Sequence, residues 1–188
     1  MNSEPTPITV VTLARTWLGT PYHHQASVKG VGCDCVGLIR GVWREVYGAE
    51  PQTLPGYTRD WAETQGHEHL LGAARRHLVE IAPANAQPGD VLIFRWRPNT
   101  PAKHCAILAT GDRVRGAAGD LPLPARGERD KVRGRNTGFP IDRATMIHAL
   151  EGAHVSEVSL CPWWRRHLAG VFRFPAFGSL PQHWTARR

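Results

Sequence analysis

The stretch G-V-G-C-D-C-V-G-L-I-R, residues 30–40, joins a glycine-rich loop directly to the start of an amphipathic helix. Asp34 and Cys35 mark the junction, so Cys35 falls in the first turn of the predicted helix. The positive end of the helix dipole stabilises thiolate over thiol, and thiolate is the form that attacks carbonyl carbons. We therefore expect Cys35 to be a catalytic nucleophile whose own backbone N–H can donate to an oxyanion. An inert buried thiol is the alternative.

Two histidines on predicted strands are candidate partners of that sulfur. His104 opens the segment K-H-C-A-I-L-A, and a histidine at a strand end can lean over the sheet edge toward the helix terminus. His148 lies within T-M-I-H-A-L, on the next predicted strand. If the two strands pair, His148 can accept a hydrogen bond from His104 and fix its tautomer. A surface histidine without a catalytic role is the alternative for His104.

The chain contains three cysteines besides Cys35. Cys33 is too close to Cys35 in sequence for an unstrained disulfide and precedes the helix, so we interpret it as a bystander. Cys105 and Cys161 lie in apolar contexts and are interpreted as small core residues. Zinc binding is a weak alternative, because the C-x-C spacing does not match usual ligand pairs and the adjacent His104 and Cys105 point to opposite faces of a strand. We expect no metal.

The hydrophobic pattern changes from helical to strand-like at the breaker Q-P-G-D, residues 87–90. Before it, the periodicity predicts helices over residues 8–18, 34–47 and 61–78. After it, the pattern predicts about five short strands, over residues 91–96, 104–109, 145–150, 155–160 and 170–174. Helices followed by strands with no helices between them favour an α+β fold with an antiparallel sheet. The length of 188 residues suits a single domain.

One long segment does not follow this pattern. Residues 111–143 are rich in Gly, Pro and Arg, have almost no apolar periodicity and separate two of the predicted strands. A loop of this length in a small domain is usually a functional lid, a docking element or disorder. We interpret it as an insertion in the single domain, and residues 176–188 as a C-terminal tail.

The composition narrows the function classes. A net charge of +7 suits an anionic polymer or an acidic protein partner as well as nucleic acid, but the basic residues are scattered and no nucleic-acid-binding motif accompanies them. The longest apolar runs are too short to cross a bilayer. The N-terminal residues M-N-S-E-P-T-P lack the basic start and apolar core of a secretory signal. We expect neither direct nucleic-acid binding nor a membrane segment.

Five short motifs occur in an order that resembles the NlpC-like cell-wall peptidases. They are G-T-P-Y (19–22), D-C-V-G-L (34–38), P-G-D-V-L-I-F (88–94), H-C-A-I-L (104–108) and M-I-H-A (146–149). The resemblance covers about residues 10–175. It implies a papain-like fold in which N-terminal helices pack on the sheet, and a triad formed by Cys35, His104 and His148. It implies no metal or organic cofactor.

The same resemblance implies further residues of the site and an activity. Tyr22 becomes a second oxyanion donor or substrate contact, and His23 and Asp34 become substrate-contacting residues beside it. Family members typically cut peptidoglycan stem peptides, most often between a D-γ-glutamyl residue and a diamino acid. An amidase or transacylase on the same fold is one alternative. The other is a structural tail-tip or baseplate protein with an occluded or degenerate site.

A narrower resemblance implies a biological setting. Residues 19–38 and 161–175 look like the cell-wall peptidases of phage tails and gene transfer agents. Such proteins lie at the tail tip and open the wall locally during DNA delivery. This implies tail-tip or hub proteins as partners. It also implies a protein made in the cytoplasm without a signal peptide that acts at the cell wall as part of a phage-like particle.

Overall fold

The computed structural model describes residues 5–52, 56, 68–109 and 144–179. The predicted insertion at 111–143 lies outside the described residues, as do residues 61–67 of the third predicted helix and 180–188 of the tail. The described elements, in chain order, are α1 (Pro7–Arg15), β1 (Ser27–Val28), β2 (Gly32–Cys33), α2 (Cys35–Tyr47), α3 (His69–His77), β3 (Val79–Ile81), β4 (Val91–Phe94), β5 (His104–Ala109), β6 (Thr145–His148), β7 (Ser156–Ser159), α4 (Pro162–Arg166) and β8 (Leu168–Arg173). Short 3-10 helices span Pro83–Asn85 and Phe177–Ser179.

Strands β3 to β8 form one antiparallel sheet in the spatial order β3-β8-β4-β5-β6-β7. The predicted α+β class with helices on an antiparallel sheet is confirmed. The five predicted strands correspond to β4 through β8, and the sequence missed β3, the sixth. This strand has three residues directly after α3 and pairs at the sheet edge with β8, which is too short a run to show an alternating pattern.

The two strands that carry the candidate histidines are neighbours. Ile107 of β5 pairs with Ile147 of β6, and Leu108 pairs with Met146. Because side chains alternate along a strand, His104 and His148 lie on the same face of the sheet as Leu108 and Met146. The expected pairing of these strands is therefore confirmed across a long separation in sequence.

Apolar side chains fill the space on both faces of the sheet. The face covered by α1, α2 and α3 carries Val91, Ile93, Cys105, Ile107, Ile147 and Phe172. The opposite face carries Leu92, Phe94, Ala106, Leu108, Met146 and Val171. Gly41 allows α2 to approach the turn after α1 closely, because a Cβ there would lie 2.0 Å from the Trp17 ring. This packing fixes α2 over the sheet, with its first turn near the start of β5.

The ends of the helices follow local sequence signals. Thr6 caps α1, accepting a hydrogen bond from Thr9 N–H at 3.1 Å, and Pro7 occupies the first helical position. The helix ends earlier than predicted because residues 16–19 form a turn that Gly19 closes in the left-handed region, with φ of +83°. Among the described residues, none of the helices is long and apolar enough to cross a membrane.

The first residues of the predicted tail pack against the domain. The Tyr47 hydroxyl at the end of α2 donates to the Pro175 carbonyl at 2.6 Å. The Phe177 ring meets the Tyr47 ring edge-on with 5.2 Å between centroids. The chain up to Ser179 therefore belongs to the folded body, because these contacts hold it on α2.

Candidate active site

Asp34 fixes the start of α2. Its Oδ1 accepts a hydrogen bond from Gly37 N–H at 2.7 Å, and its Oδ2 accepts one from Gln25 N–H at 2.7 Å. The residue is only 2% exposed. Glycine is required at position 37, because a Cβ there would lie 1.9 Å from the Ala26 carbonyl oxygen. The buried carboxylate of Asp34 therefore caps the helix and holds the preceding loop, and a substrate contact by Asp34 stays a prediction.

Cys35 is the first residue of α2 and is half-buried. The first intrahelical hydrogen bond runs from Leu38 N–H to the Asp34 carbonyl at 2.9 Å. The Asp34 side chain also accepts a hydrogen bond from Gly37 N–H. Within the part of the chain that the structure describes, the Cys35 N–H has no acceptor. This N–H is a preorganised donor for an oxyanion formed beside the sulfur.

Cys105 and His104 determine the charge state of the Cys35 sulfur. The interactions that act on its pKa are, in order of size, hydrogen bonding with the Cys105 thiol, hydrogen bonding with the His104 side chain together with its charge, and hydrogen bonding with the Cys105 backbone. They hold the pKa of the Cys35 thiol well below its ordinary value, with the Cys105 thiol contributing most and the His104 charge adding to them. Burial opposes this shift and is outweighed. His104 thus reaches the helix terminus from its strand end, as the sequence predicts.

His148 forms a hydrogen bond with one ring nitrogen of His104. His104 Nε2 lies 3.0 Å from His148 Nδ1, and both residues are 4% exposed. Burial and then the charge of His104 lower the pKa of His148 to about 3, so this ring is neutral at pH 7. When His104 holds the proton taken from Cys35, its Nε2–H therefore donates to His148 Nδ1. This leaves His104 Nδ1 to face the Cys35 sulfur.

The buried, neutral state of His148 makes stability sensitive to acid. The pKa of His148 is about 3 in the folded chain, whereas its ordinary value is 6.5. Between these pH values the unfolded chain binds more protons than the folded chain. The folded state therefore loses stability as the pH falls from 6.5 to 3. We expect the free energy of unfolding to fall between pH 7 and pH 4 in both proteins. The decrease should be about 1–3 kcal/mol smaller in His148→Gln than in the wild type. Urea unfolding at both pH values measures the difference. Equal losses in both proteins would contradict the assigned state of His148.

Two tryptophan rings pack against the histidine pair. The Trp164 ring centroid lies 5.2 Å from that of His104 and 5.5 Å from that of His148, and Trp96 stacks on His104 at 5.7 Å. These rings keep water from one side of the pair and account for part of its burial. In the sequence, Trp164 occurs within C-P-W-W-R-R and Trp96 at the end of the predicted strand 91–96. Pro162 at the first position of α4 was a signal for the short helix that carries Trp164.

The remaining site residues lie around the loop before α2. The Tyr22 backbone bridges to Cys33, and its side chain packs against the same apolar cluster as Cys35. His23 is exposed and lies over Gly32, where a Cβ would come within 2.4 Å of the imidazole. Substrate roles for Tyr22 and His23 stay predictions. Burial, followed by the charges of Asp34 and Cys35, raises the pKa of Cys33 to about 12, so its thiol is inert at neutral pH.

The assembled groups are those of a cysteine hydrolase. A thiolate at a helix N-terminus faces an imidazole, a second imidazole orients the first, and a backbone N–H is ready for an oxyanion. No group of three or more His, Cys, Asp or Glu side chains among the described residues is arranged to hold a metal ion. Helices packed on an antiparallel sheet, with this site at their junction, define the papain-like class of cysteine hydrolases.

Comparison with known sequences gives the family. The NlpC/P60 family pattern matches residues 19–173, and the chain belongs to this family. A curated relative is the Gamma-DL-glutamyl hydrolase of Bacillus subtilis (strain 168), which is 29% identical over 107 residues. That alignment covers 56% of this chain and 22% of the relative, so the chain spans about a fifth of the relative's length.

The chain is also similar to solved structures. An NlpC/P60 family protein from Bacillus cereus ATCC 10987 has a TM-score of 0.53 at 18% identity, covering 92% of this chain and 41% of that one. The NlpC/p60 domain of the peptidoglycan hydrolase SagA has a TM-score of 0.47 at 19% identity, covering 90% of this chain and 99% of that domain. The Bacillus cereus structure supports the papain-like architecture described above.

Proposed function

We propose that this chain is a cysteine peptidase that hydrolyses peptidoglycan stem peptides at the bond between a D-γ-glutamyl residue and a diamino acid. The observation that carries the proposal is Cys35 at the N-terminus of α2, with a thiol pKa that His104 helps to lower, beside the His104–His148 pair whose ring nitrogens lie 3.0 Å apart. Membership of the NlpC/P60 family supports the same reaction class. An occluded structural protein would have no need to keep a lowered thiol pKa in a half-buried position.

The geometry accounts for each step of the proposed reaction. The Cys35 sulfur attacks the scissile carbonyl carbon, and the oxyanion accepts the Cys35 N–H, with Tyr22 as the second contact. His104 then passes its proton to the leaving amine, and a thioester remains on Cys35. His104 next takes a proton from water, which attacks the thioester and releases the new carboxylate. The thiolate and protonated His104 are thereby restored.

The substrate class has two supports. The relative from Bacillus subtilis is named for hydrolysis of γ-glutamyl bonds, and the SagA domain belongs to a peptidoglycan hydrolase. The chain itself carries a net charge of +7, which suits an anionic wall polymer. A γ-glutamyl bond in peptidoglycan satisfies both observations.

We further propose that the protein works at the tail tip of a phage-like particle, next to hub proteins, and opens the cell wall for DNA delivery. This setting is supported by the resemblance of residues 19–38 and 161–175 to tail and gene-transfer-agent peptidases. The second segment contains α4, which places Trp164 against both site histidines. In this setting the protein is made in the cytoplasm and reaches the wall with the particle.

The bond cleaved is the decisive test. Purified peptidoglycan containing diaminopimelate and, separately, poly-γ-DL-glutamate are incubated with the protein, and the products are analysed by liquid chromatography and mass spectrometry. We expect peptidoglycan fragments that end in D-glutamate together with peptides that begin with diaminopimelate. Release of intact stem peptides from the sugar would identify an amidase, and transfer without hydrolysis would identify a transacylase. Digestion of poly-γ-DL-glutamate alone would overturn the peptidoglycan assignment.

A further inference from the structure

A cavity of about 550 Å³ lies at the loop between β4 and β5, residues 95–103, which leads into His104. Its volume falls in the range of sites that bind small molecules. The described residues that line it are Trp96, Arg97, Thr100, Pro101 and Lys103. The reaction proposed above uses none of these side chains, so the cavity is available for another part of the substrate.

Trp96 connects this cavity to the catalytic imidazole. The Trp96 ring is one wall of the cavity and also stacks on His104, with 5.7 Å between the ring centroids and 25° between the ring planes. Lys103, a second lining residue, immediately precedes His104 in the chain. His104 must lie beside the amine to which it gives a proton. The leaving half of the substrate is therefore the half nearest to this cavity.

Contacts with the residue before α3 hold the loop that forms the cavity. The Glu68 carboxylate accepts a hydrogen bond from Ala102 N–H at 3.0 Å and forms an ion pair with Arg95 at 3.1 Å. Arg95 in turn donates a hydrogen bond to the Thr100 carbonyl at 3.1 Å. Because these contacts fix the loop without a ligand, binding in the cavity does not have to order it, and less binding energy is lost.

The lining of the cavity is positively charged. The charge of Arg95 is balanced by Glu68, whereas Arg97 and Lys103 add two positive charges to the lining itself. Within the described part of the chain, no acidic side chain lines the cavity. Arg97 is exposed and Lys103 is half-buried, so a ligand can reach both from solvent. Such a lining attracts a carboxylate and repels an ammonium group.

We propose that this cavity is the subsite for the side chain of the leaving diamino acid, where Arg97 and Lys103 bind a carboxylate at its far end. This inference rests on the proposed cleavage of a γ-glutamyl–diamino acid bond. The side chain of diaminopimelate ends in both a carboxylate and an ammonium group, whereas that of lysine ends in an ammonium group alone. The two cations therefore select diaminopimelate and disfavour lysine, and the Trp96 ring packs against the methylene carbons.

The first measurement is binding, which requires no cleavage. Isothermal titration calorimetry of the full chain at low ionic strength compares two leaving-group dipeptides, diaminopimelyl-D-alanine and lysyl-D-alanine. We expect the wild type to bind the first at least about fivefold more tightly. Arg97→Gln and Lys103→Gln should each reduce this preference, and the double variant should abolish it. Lys103→Arg keeps the charge and should retain the preference.

Arg166→Gln is the matched control. It removes the same charge from an exposed arginine of α4 that does not line the cavity, so the preference should stay at the wild-type value. Circular dichroism establishes that the variants are folded. If Lys103→Gln does not fold, Arg97→Gln carries the test, because the exposed Arg97 side chain can be replaced with little effect on stability.

The outcomes separate this subsite from the proposed reaction. Equal affinity of the wild type for the two dipeptides, or an equal loss of preference in Arg166→Gln, would overturn the subsite. Cleavage rates are then compared for L-alanyl-γ-D-glutamyl-diaminopimelate and its lysine analogue. Cleavage of both at the same kcat/KM would support the reaction and refute the subsite. A protein that binds the diaminopimelate dipeptide through Arg97 and Lys103 but cleaves neither tripeptide would refute the reaction and support the subsite.

Discussion

Cys35→Ala should abolish the release of soluble fragments from peptidoglycan, reducing the rate by about three orders of magnitude or more. The substitution removes the atom that forms the thioester, while the capped helix start, the His104–His148 pair and the apolar core remain. Loss of a nucleophile is among the largest single effects in a hydrolase, because the residual groups provide only binding and oxyanion stabilisation. Release of dye-labelled peptidoglycan fragments under saturating substrate measures the rate.

Cys33→Ser is the matched control for this experiment. Cys33 lies two positions earlier, is buried, and has a pKa of about 12, so it has no nucleophilic thiolate at neutral pH. We expect this variant to retain activity within about a factor of two, provided that thermal unfolding shows it to be folded. Equal release by wild type and Cys35→Ala would refute the mechanism. Inactivity of Cys33→Ser alone would exchange the roles of the two cysteines.

The elements predicted well are those whose signal is local. The Asp34-Cys35 pair after a glycine-rich loop marked the start of α2 within one residue, and strand β5 was predicted with its observed bounds. The approach of His104 to Cys35 followed from one helix end and one strand end, each visible in the sequence. The pairing of β5 with β6 needed only the assumption that adjacent strands in an antiparallel sheet are neighbours.

The features that were missed depend on contacts between distant parts of the chain. Asp34 carries its carboxylate inward because Gln25 N–H and Gly37 N–H meet there, and no local pattern reveals the first of these. Trp164 reaches His104 and His148 only because α4 folds back over the sheet. Local patterns identify which residues are chemically capable, whereas the environment that tunes them is a property of the assembled fold.

His104→Ala should lower the rate of peptidoglycan hydrolysis by about 10²- to 10⁴-fold. The variant loses the group that donates a proton to the leaving amine, and it also loses a hydrogen bond and a positive charge that stabilise the Cys35 thiolate. The pH midpoint of Cys35 alkylation by iodoacetamide should therefore rise together with the loss of activity. Steady-state hydrolysis of peptidoglycan and the pH profile of Cys35 alkylation, measured on the same preparation, check both effects. A folded His104→Ala protein with wild-type activity would exclude His104 as the base.

His148→Gln distinguishes the base from the residue that orients it. His148 contacts the distal nitrogen of His104 and does not contact the Cys35 sulfur, so its replacement by a hydrogen-bonding amide should cost less activity than His104→Ala. The Cys35 alkylation midpoint should also move less, because His104 still supplies its charge and its bond to the sulfur. If His148→Gln raised the midpoint as much as His104→Ala, His148 would have to act on the thiolate itself. The assignment of His104 as the ring next to Cys35, with His148 as its partner, would then be wrong.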